Sequence, residues 1–347
     1  MRSRFLFVSS VLLLLGPANA CANGGNGSAG ATDDEGGLPG DGGPTGDGTV
    51  KGDAKGDAPG GDGGGSVSAA KACADNATSY CTQLQTCADN LYKEQYNDTL
   101  TCTTAQTAGC LDALAAPNTG WTGAKLEACV AARTALSCND FLFGKPQPKA
   151  CQITGNVFNG ACRYSGQCGS GYCRFASGAA CGTCVSLGET GSPCTTASDC
   201  DGNLMCATAG TCQPPVSVGS PCGPANPCQS GLACISGNCA APGQVGASCA
   251  AANNGADCDS TQGLYCDTTT SQCKQVLTPN VGGTCGGSIP TVCVGSGTCS
   301  AGTCVAPVAD KGACNPKQGQ NCMAPDSCND AGTCALITGA DCAGDGG

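Results

Sequence analysis

The stretch GSPCGPANPCQSGLACISGNC, Gly219–Cys239, sets four cysteines within twenty-one residues and carries no His, Trp, Lys or Arg. Such a stretch is a metal site, a redox centre or a disulfide staple. Close variants of it recur. Four-cysteine units start at Cys162, Cys194, Cys222, Cys249, Cys285 and Cys314, in steps of 32, 28, 27, 36 and 29 residues. A further step of 28 lands on Cys342, which reads as the start of a truncated seventh unit. A repeated local motif at a near-fixed period marks a repeat array.

The units share a grammar. A glycine precedes the first cysteine by two or three residues: Gly160, Gly191, Gly219, Gly246, Gly282 and Gly312. The fourth cysteine follows a Gly-x step at Gly182, Gly210, Gly237, Gly302 and Gly332. The third-to-fourth segment therefore reads as a tight β-hairpin whose turn takes positive φ at Gly or Asn. The array cysteines are Cys162, Cys168, Cys173 and Cys184 with an extra Cys181; Cys194, Cys200, Cys206 and Cys212; Cys222, Cys228, Cys234 and Cys239; Cys249, Cys258, Cys266 and Cys273; Cys285, Cys293, Cys299 and Cys304; Cys314, Cys322, Cys328 and Cys334; and Cys342. Four cysteines allow three connectivities, and spacing does not choose among them. First-to-third with second-to-fourth is the working expectation. Cys181 and Cys342 are then left over. Either they pair across the array, or Cys181 takes another cysteine such as Cys151.

Composition favours staples. Thirty-five of 347 residues are Cys, only 4% are aromatic, and after Cys184 the one aromatic residue is Tyr265. So few large side chains cannot offset chain-ordering entropy by apolar burial. Cysteine at this level marks a disulfide scaffold made for an oxidising compartment. The net charge is −11, and residues 181–273 contain no Lys or Arg. Without a basic stripe to displace counterions, nucleic-acid binding is excluded as a function class.

Upstream of the array the pattern changes. Cys73, Ala77, Tyr80, Cys81, Leu84, Cys87, Ala88 and Leu91 follow helical spacing and predict one amphipathic helix. A second is expected from about Leu100 to Ala116, before Pro117. A third is expected to start at Thr122 as N-cap, with Trp121 stapled onto Leu126. Cys73, Cys81, Cys87, Cys102, Cys110, Cys129, Cys138 and Cys151 should bridge these helices. Zinc and iron–sulfur sites favour close C-x₂-C pairs, whereas the tightest spacing here is Cys81 to Cys87.

The chain opens MRSRFLFVSSVLLLLGPANAC. Arg2 and Arg4, a short apolar run and Ala18-Asn19-Ala20 read as a signal peptide over 1–20. Cys21 follows at once, as in the lipobox of bacterial lipoproteins. That resemblance makes Cys21 a lipid anchor and Ala22 an outer-membrane signal. Ala18 stands where that box usually has Leu, so simple cleavage leaving a terminal thiol is the alternative. Removing Cys21 leaves an even cysteine count. Residues 21–70, with Gly at 18 of 50 positions, read as a disordered Gly/Asp-rich tether. The expected fold is thus small and disulfide-rich: an α-helical Cys-rich domain over 71–151, then tandem four-Cys hairpin repeats over 152–347.

Chemistry is sparse. The sequence has no His, which removes Ser-His-Asp and Cys-His catalysis and the commonest metal ligand. Cys181-Gly-Thr-Cys184 is the sole C-x-x-C and the one candidate for thiol–disulfide exchange. Asp199 with Asp201, and Asp257 with Asp259, could share a strand face as a weak Ca²⁺ site; solvated acidic turns are the plainer reading. No catalytic residue, metal or cofactor is expected.

The residues GACRYSGQCGSGYC…CGTC, Gly160–Cys184, and the units after them resemble the Dickkopf N-terminal-like cysteine-rich repeat. The whole arrangement resembles secreted Cys-rich lipoproteins of myxobacteria and related bacteria, which join a helical Cys domain to such repeats. The expectation is a non-enzymatic, lipid-anchored surface protein. It is held to the membrane by its N-terminal lipid and uses the array for adhesion or for binding an extracellular protein or matrix partner. A diffusible receptor ligand and an exchanger at Cys181/Cys184 are the alternatives.

Overall fold

The computed structural model describes residues 67–143, 147–176, 179–250, 257–287, 289–315, 322–329 and 331–343. Residues 1–66, which carry the expected signal peptide, Cys21 and nearly all of the expected tether, lie outside the described residues. A helical region comes first, and a C-terminal array of short antiparallel strand pairs follows it.

Helix α1, Ala69–Cys87, starts two residues earlier than the composition shift implies, because the Ser68 side chain accepts from the Lys71 N–H at 3.2 Å. Two of its cysteines, eight residues apart, meet two on α3, Thr99–Ala115, with the same spacing: Cys73–Cys110 and Cys81–Cys102. Eight residues advance about 12 Å along either axis, so this ladder forces the two helices antiparallel. Asp98 caps α3 by accepting from Thr101 N–H at 2.7 Å. Thr122 caps α4, Gly123–Thr134, and Trp121 and Leu126 share one buried cluster, as the staple requires.

The expected single helix through Leu91 is corrected. It breaks at Ala88 (φ −152°, ψ 68°), and α2, Asp89–Tyr96, leaves at a new angle. Cys87 is pinned to Cys138 at the start of α5, Cys138–Phe143, an element that the periodicity did not reveal. The freed Cys87 carbonyl accepts from Gln262 Nε2 at 3.1 Å, so an array residue satisfies the break. Cys129–Cys151 ties α4 to the short 3₁₀ turn Lys149–Cys151 that leads into the array.

The six units share one construction. Strand pairs β4/β5 (Met205–Cys206, Cys212–Gln213), β6/β7 (Ala233–Ile235, Asn238–Ala240), β8/β9 (Leu264–Asp267, Gln272–Gln275), β10/β11 (Thr298–Ser300, Thr303–Val305) and β12/β13 (Ser327–Cys328, Cys334–Ala335) form units 2 to 6. In each hairpin the third and fourth cysteines are direct cross-strand partners, as Cys234 and Cys239 are. They do not bond to each other. The third bonds to the first and the fourth to the second, as in Cys222–Cys234 and Cys228–Cys239, and all six units repeat this. Two crossing bonds thus sew both hairpin strands to the segment before them. The unit cores are mostly sulfur: Cys285, Cys293 and Cys304 make up the whole buried cluster of unit 5.

Each unit begins a few residues before its first cysteine, where Val216, for example, pairs in parallel with Cys228. A turn follows. Gly219 (φ +77°) donates its N–H to the Cys239 carbonyl at 2.7 Å. Gly191, Gly246 and Gly282 repeat the geometry, since left-handed φ is free of penalty only without Cβ. In units 1 and 6 the expected glycines, Gly160 and Gly312, are not the residues in that slot. Asn159 (φ 55°) and Lys311 (φ 62°) hold it one position earlier.

Unit 1 departs in a second way. Gly182 is not in a turn but in β3, Gly182–Cys184, the central strand between β1, Ala161–Cys162, and β2, Cys173–Arg174. A Cβ there would lie 2.7 Å from Cys173 Sγ.

Cys342 is corrected too. It does not take a first-cysteine position. It sits on α6, Gly339–Ala343, and bonds to Cys181 across a separation of 161 residues.

The array does not run away from the helices. Unit 1 meets the α3–α4 connection through Gly120 N–H to Gly166 O at 2.8 Å and Gln167 Nε2 to Pro117 O at 3.0 Å. Unit 3 reaches α5 through Asn139 Nδ2 to Ser230 O. Unit 4 reaches the α1–α2 break, and unit 5 the end of α2, where Gly295 N–H donates to Lys93 O at 2.8 Å. The array wraps the helical hub and closes on itself at Cys181–Cys342.

Removing one staple tests the autonomy of a unit. Cys222→Ala with Cys234→Ala opens a 12-residue loop and is expected to cost about 3 kcal/mol. Under non-reducing proteolysis, new cleavage should be confined to 219–239. Cleavage spread over all units would show that the units do not fold independently.

Candidate functional site

The candidate chemistry resolves into bonded sulfur and capping carboxylates. Cys181 and Cys184 belong to different disulfides, with Cys342 and with Cys168. The C-x-x-C spacing therefore does not close on itself, and Cys184 is buried at the unit's centre. In most units three sulfurs come within 4.8 Å of one another, for example those of Cys222, Cys228 and Cys239. All three are in disulfides, which removes the thiolate a metal would need.

The paired carboxylates are engaged by hydrogen-bond donors of the fold. Asp199 is buried and accepts from the Thr195 and Thr196 N–H groups, each at 2.8 Å, and from the Tyr172 hydroxyl at 3.2 Å. Burial pushes its carboxyl up, but the two backbone N–H groups and the Tyr172 hydroxyl outweigh this and hold it below the usual carboxylate range. Asp201 faces solvent and accepts from Gly202 N–H. Asp257 accepts from Ala250 N–H at 2.6 Å, and Asp259 caps the turn Ser260–Gln262. These are fold contacts. Tyr172 lies in unit 1 and Asp199 in unit 2, so this hydrogen bond also couples neighbouring units.

Two surface features remain. First, Phe158, Val218, Val245 and Val281 hold the same place, just before the positive-φ residue of the unit turn, and each is more than half exposed. Sequence reading missed this register, because the residue four before the first cysteine varies: Thr190 in unit 2 and Asp310 in unit 6. Exposed apolar residues recurring at one structural position form a candidate contact set. Second, a groove of about 400 Å³ lies where the α2–α3 corner meets units 5 and 6, lined by Tyr96, Asn97, Thr101, Val281, Val294 and Met323 among others. In unit 4 most of the loop between the first and second cysteines, residues 251–256, lies outside the described residues. In unit 3 the matching loop is a tight Gly223–Asn226 turn, whose Pro224 carbonyl accepts from Ala209 of unit 2 at 3.0 Å.

No helix among the described residues is long and apolar enough to cross a membrane. No known family, curated protein or solved structure matches the chain.

The Asp199 contacts set a pH dependence. A carboxyl held down by folding contributes stability above its unfolded pKa, near 4, and that stability is lost as pH falls through the lower folded value. Between pH 5 and pH 2 the wild-type melting temperature should therefore fall further than that of Asp199→Asn. Equal slopes in non-reducing calorimetry would remove Asp199 from this role.

Proposed function

We propose that the chain is a non-enzymatic, lipid-anchored surface protein whose disulfide-stapled array binds an extracellular protein or matrix component. The disulfide-rich array supports an extracellular binding or adhesion-type protein, since such bonding persists only outside reducing compartments. The observation that carries the reading is the recurrence of exposed Phe158, Val218, Val245 and Val281 at one turn position of rigid units. A fixed apolar tip costs little side-chain entropy on contact, and repetition turns weak contacts into avidity. Anchoring through Cys21 follows from the lipobox-like N-terminus, and the Gly-rich tether would hold the array off the membrane. The resemblance to Dickkopf-like and myxobacterial repeat proteins points the same way and supplies no receptor contacts to transfer.

Two measurements test this. Cys21→Ser should abolish fatty-acid labelling and move the protein from the membrane fraction to the medium; unchanged labelling overturns the anchor. Cells of the source strain producing Val218→Ser/Val245→Ser/Val281→Ser at wild-type level should adhere to matrix about tenfold less. Unchanged adhesion would refute the tips as the contact set, and reductase turnover abolished by Cys184→Ser would replace binding with thiol exchange.

A further inference from the structure

The Cys181–Cys342 bond differs in kind from the other disulfides among the described residues. Those join cysteines 11 to 51 residues apart, inside the helical region or inside one repeat unit. Cys181–Cys342 spans 161 residues and joins unit 1 to the segment after unit 6.

Besides this bond, α6 packs on β1 of unit 1 and on the end of α3, and unit 6 rests Ala324 against the hub cluster. Helix α6 has five residues, too few to persist alone. Its cap is local, with Asp341 accepting from Thr338 N–H at 2.8 Å. Its docking on α3 rests on Gly339, whose N–H donates to Asp112 Oδ2 at 3.0 Å and whose backbone packs on Ala116. Asp112 also accepts from the Tyr164 hydroxyl of unit 1, so hub, first unit and chain end meet at one carboxylate.

We propose that Cys181–Cys342 is a redox clasp, and that a dithiol reducing this one bond releases the end of the array from the hub while every repeat unit stays folded. The chemistry is ordinary exchange. Cys342 is fully buried and Cys181 only half so, which directs the attacking thiolate to the Cys181 sulfur. The S–S bond breaks, Cys342 leaves as a thiolate and takes up a proton, and a mixed disulfide forms on Cys181. The second thiol of the dithiol resolves it. The protein gains two electrons as two thiols, and the dithiol becomes a disulfide.

Selectivity comes from reclosure. Inside a unit, a reduced pair is held together by the hairpin, by the second disulfide and by a short loop. For a flexible chain the effective concentration of two ends falls as about the −3/2 power of loop length. Between 12 and 161 residues that is about fifty-fold, and the array's contacts with the hub lessen it. The clasp should therefore open at about tenfold lower dithiol concentration than any bond within a unit. This holds whatever the array binds, so its failure would leave the functional reading untouched.

The test uses the exported full-length protein. It is titrated with dithiothreitol under native conditions, alkylated and mapped by mass spectrometry, with solution scattering at each point. The expected result is alkylation of Cys181 and Cys342 about tenfold earlier in the titration, accompanied by an increase in radius of gyration. Cys181→Ser/Cys342→Ser should reproduce the expanded form with its other disulfides intact. The proposal falls if unit cysteines are alkylated at the same dithiol concentration. It also falls if the molecule stays as compact once the bond is open, which would make it a structural staple only.

Discussion

The crossed pair of disulfides in each repeat is the constraint on which everything else rests. Strands of two to four residues do not hold a hairpin together in water. Here the third and fourth cysteines face each other across the strands, and each is bonded to a different point of the preceding segment. The hairpin cannot slip in register without dragging both bonds. Little apolar burial is needed, and little is present: the buried residues of the units are mostly cysteines, with Tyr164, Ala207, Ala233, Leu264 and Val294 beside them.

That solution frees the surface. A unit that does not depend on a hydrophobic core can leave its few aliphatic residues at the tips of its turns. It also spends its polar groups on itself. The carboxylates that looked like a cation site in sequence are caps and inter-unit contacts, because a buried acceptor in a loop-rich fold is drawn to unpaired backbone N–H groups.

The helical region gives the array a shape that repeats alone would not. Repeat arrays usually obey nearest-neighbour rules and extend. Units 3, 4 and 5 instead contact successive places on the helices, at Asn139, at the Cys87 carbonyl and at Lys93 to Gln95. The helix break at Ala88 belongs to this contact, since a continuous helix would have kept the Cys87 carbonyl in its own ladder. Only then does the chain end come within bonding distance of unit 1.

How much of this was legible in the chain follows from the range of each interaction. Caps, staple and hairpins are local; helical periodicity and the Cys-Gly grammar exposed the Thr122 cap with its Trp121 staple and the six units, while the Ser68 and Asp98 caps went unread. Local signals misled where one residue type serves two ends. Gly182 looked like a turn glycine and is a strand glycine under a sulfur; Gly312 stood beside the slot that Lys311 holds. Cysteine content alone determined that this is a cross-linked protein for an oxidising environment. Composition does not say which cysteine meets which. Pairing Cys181 with Cys342, breaking α1 at Ala88 and lining up the turn tips depend on contacts between residues up to about two hundred positions apart. Those contacts were decided only when the array folded back on its hub.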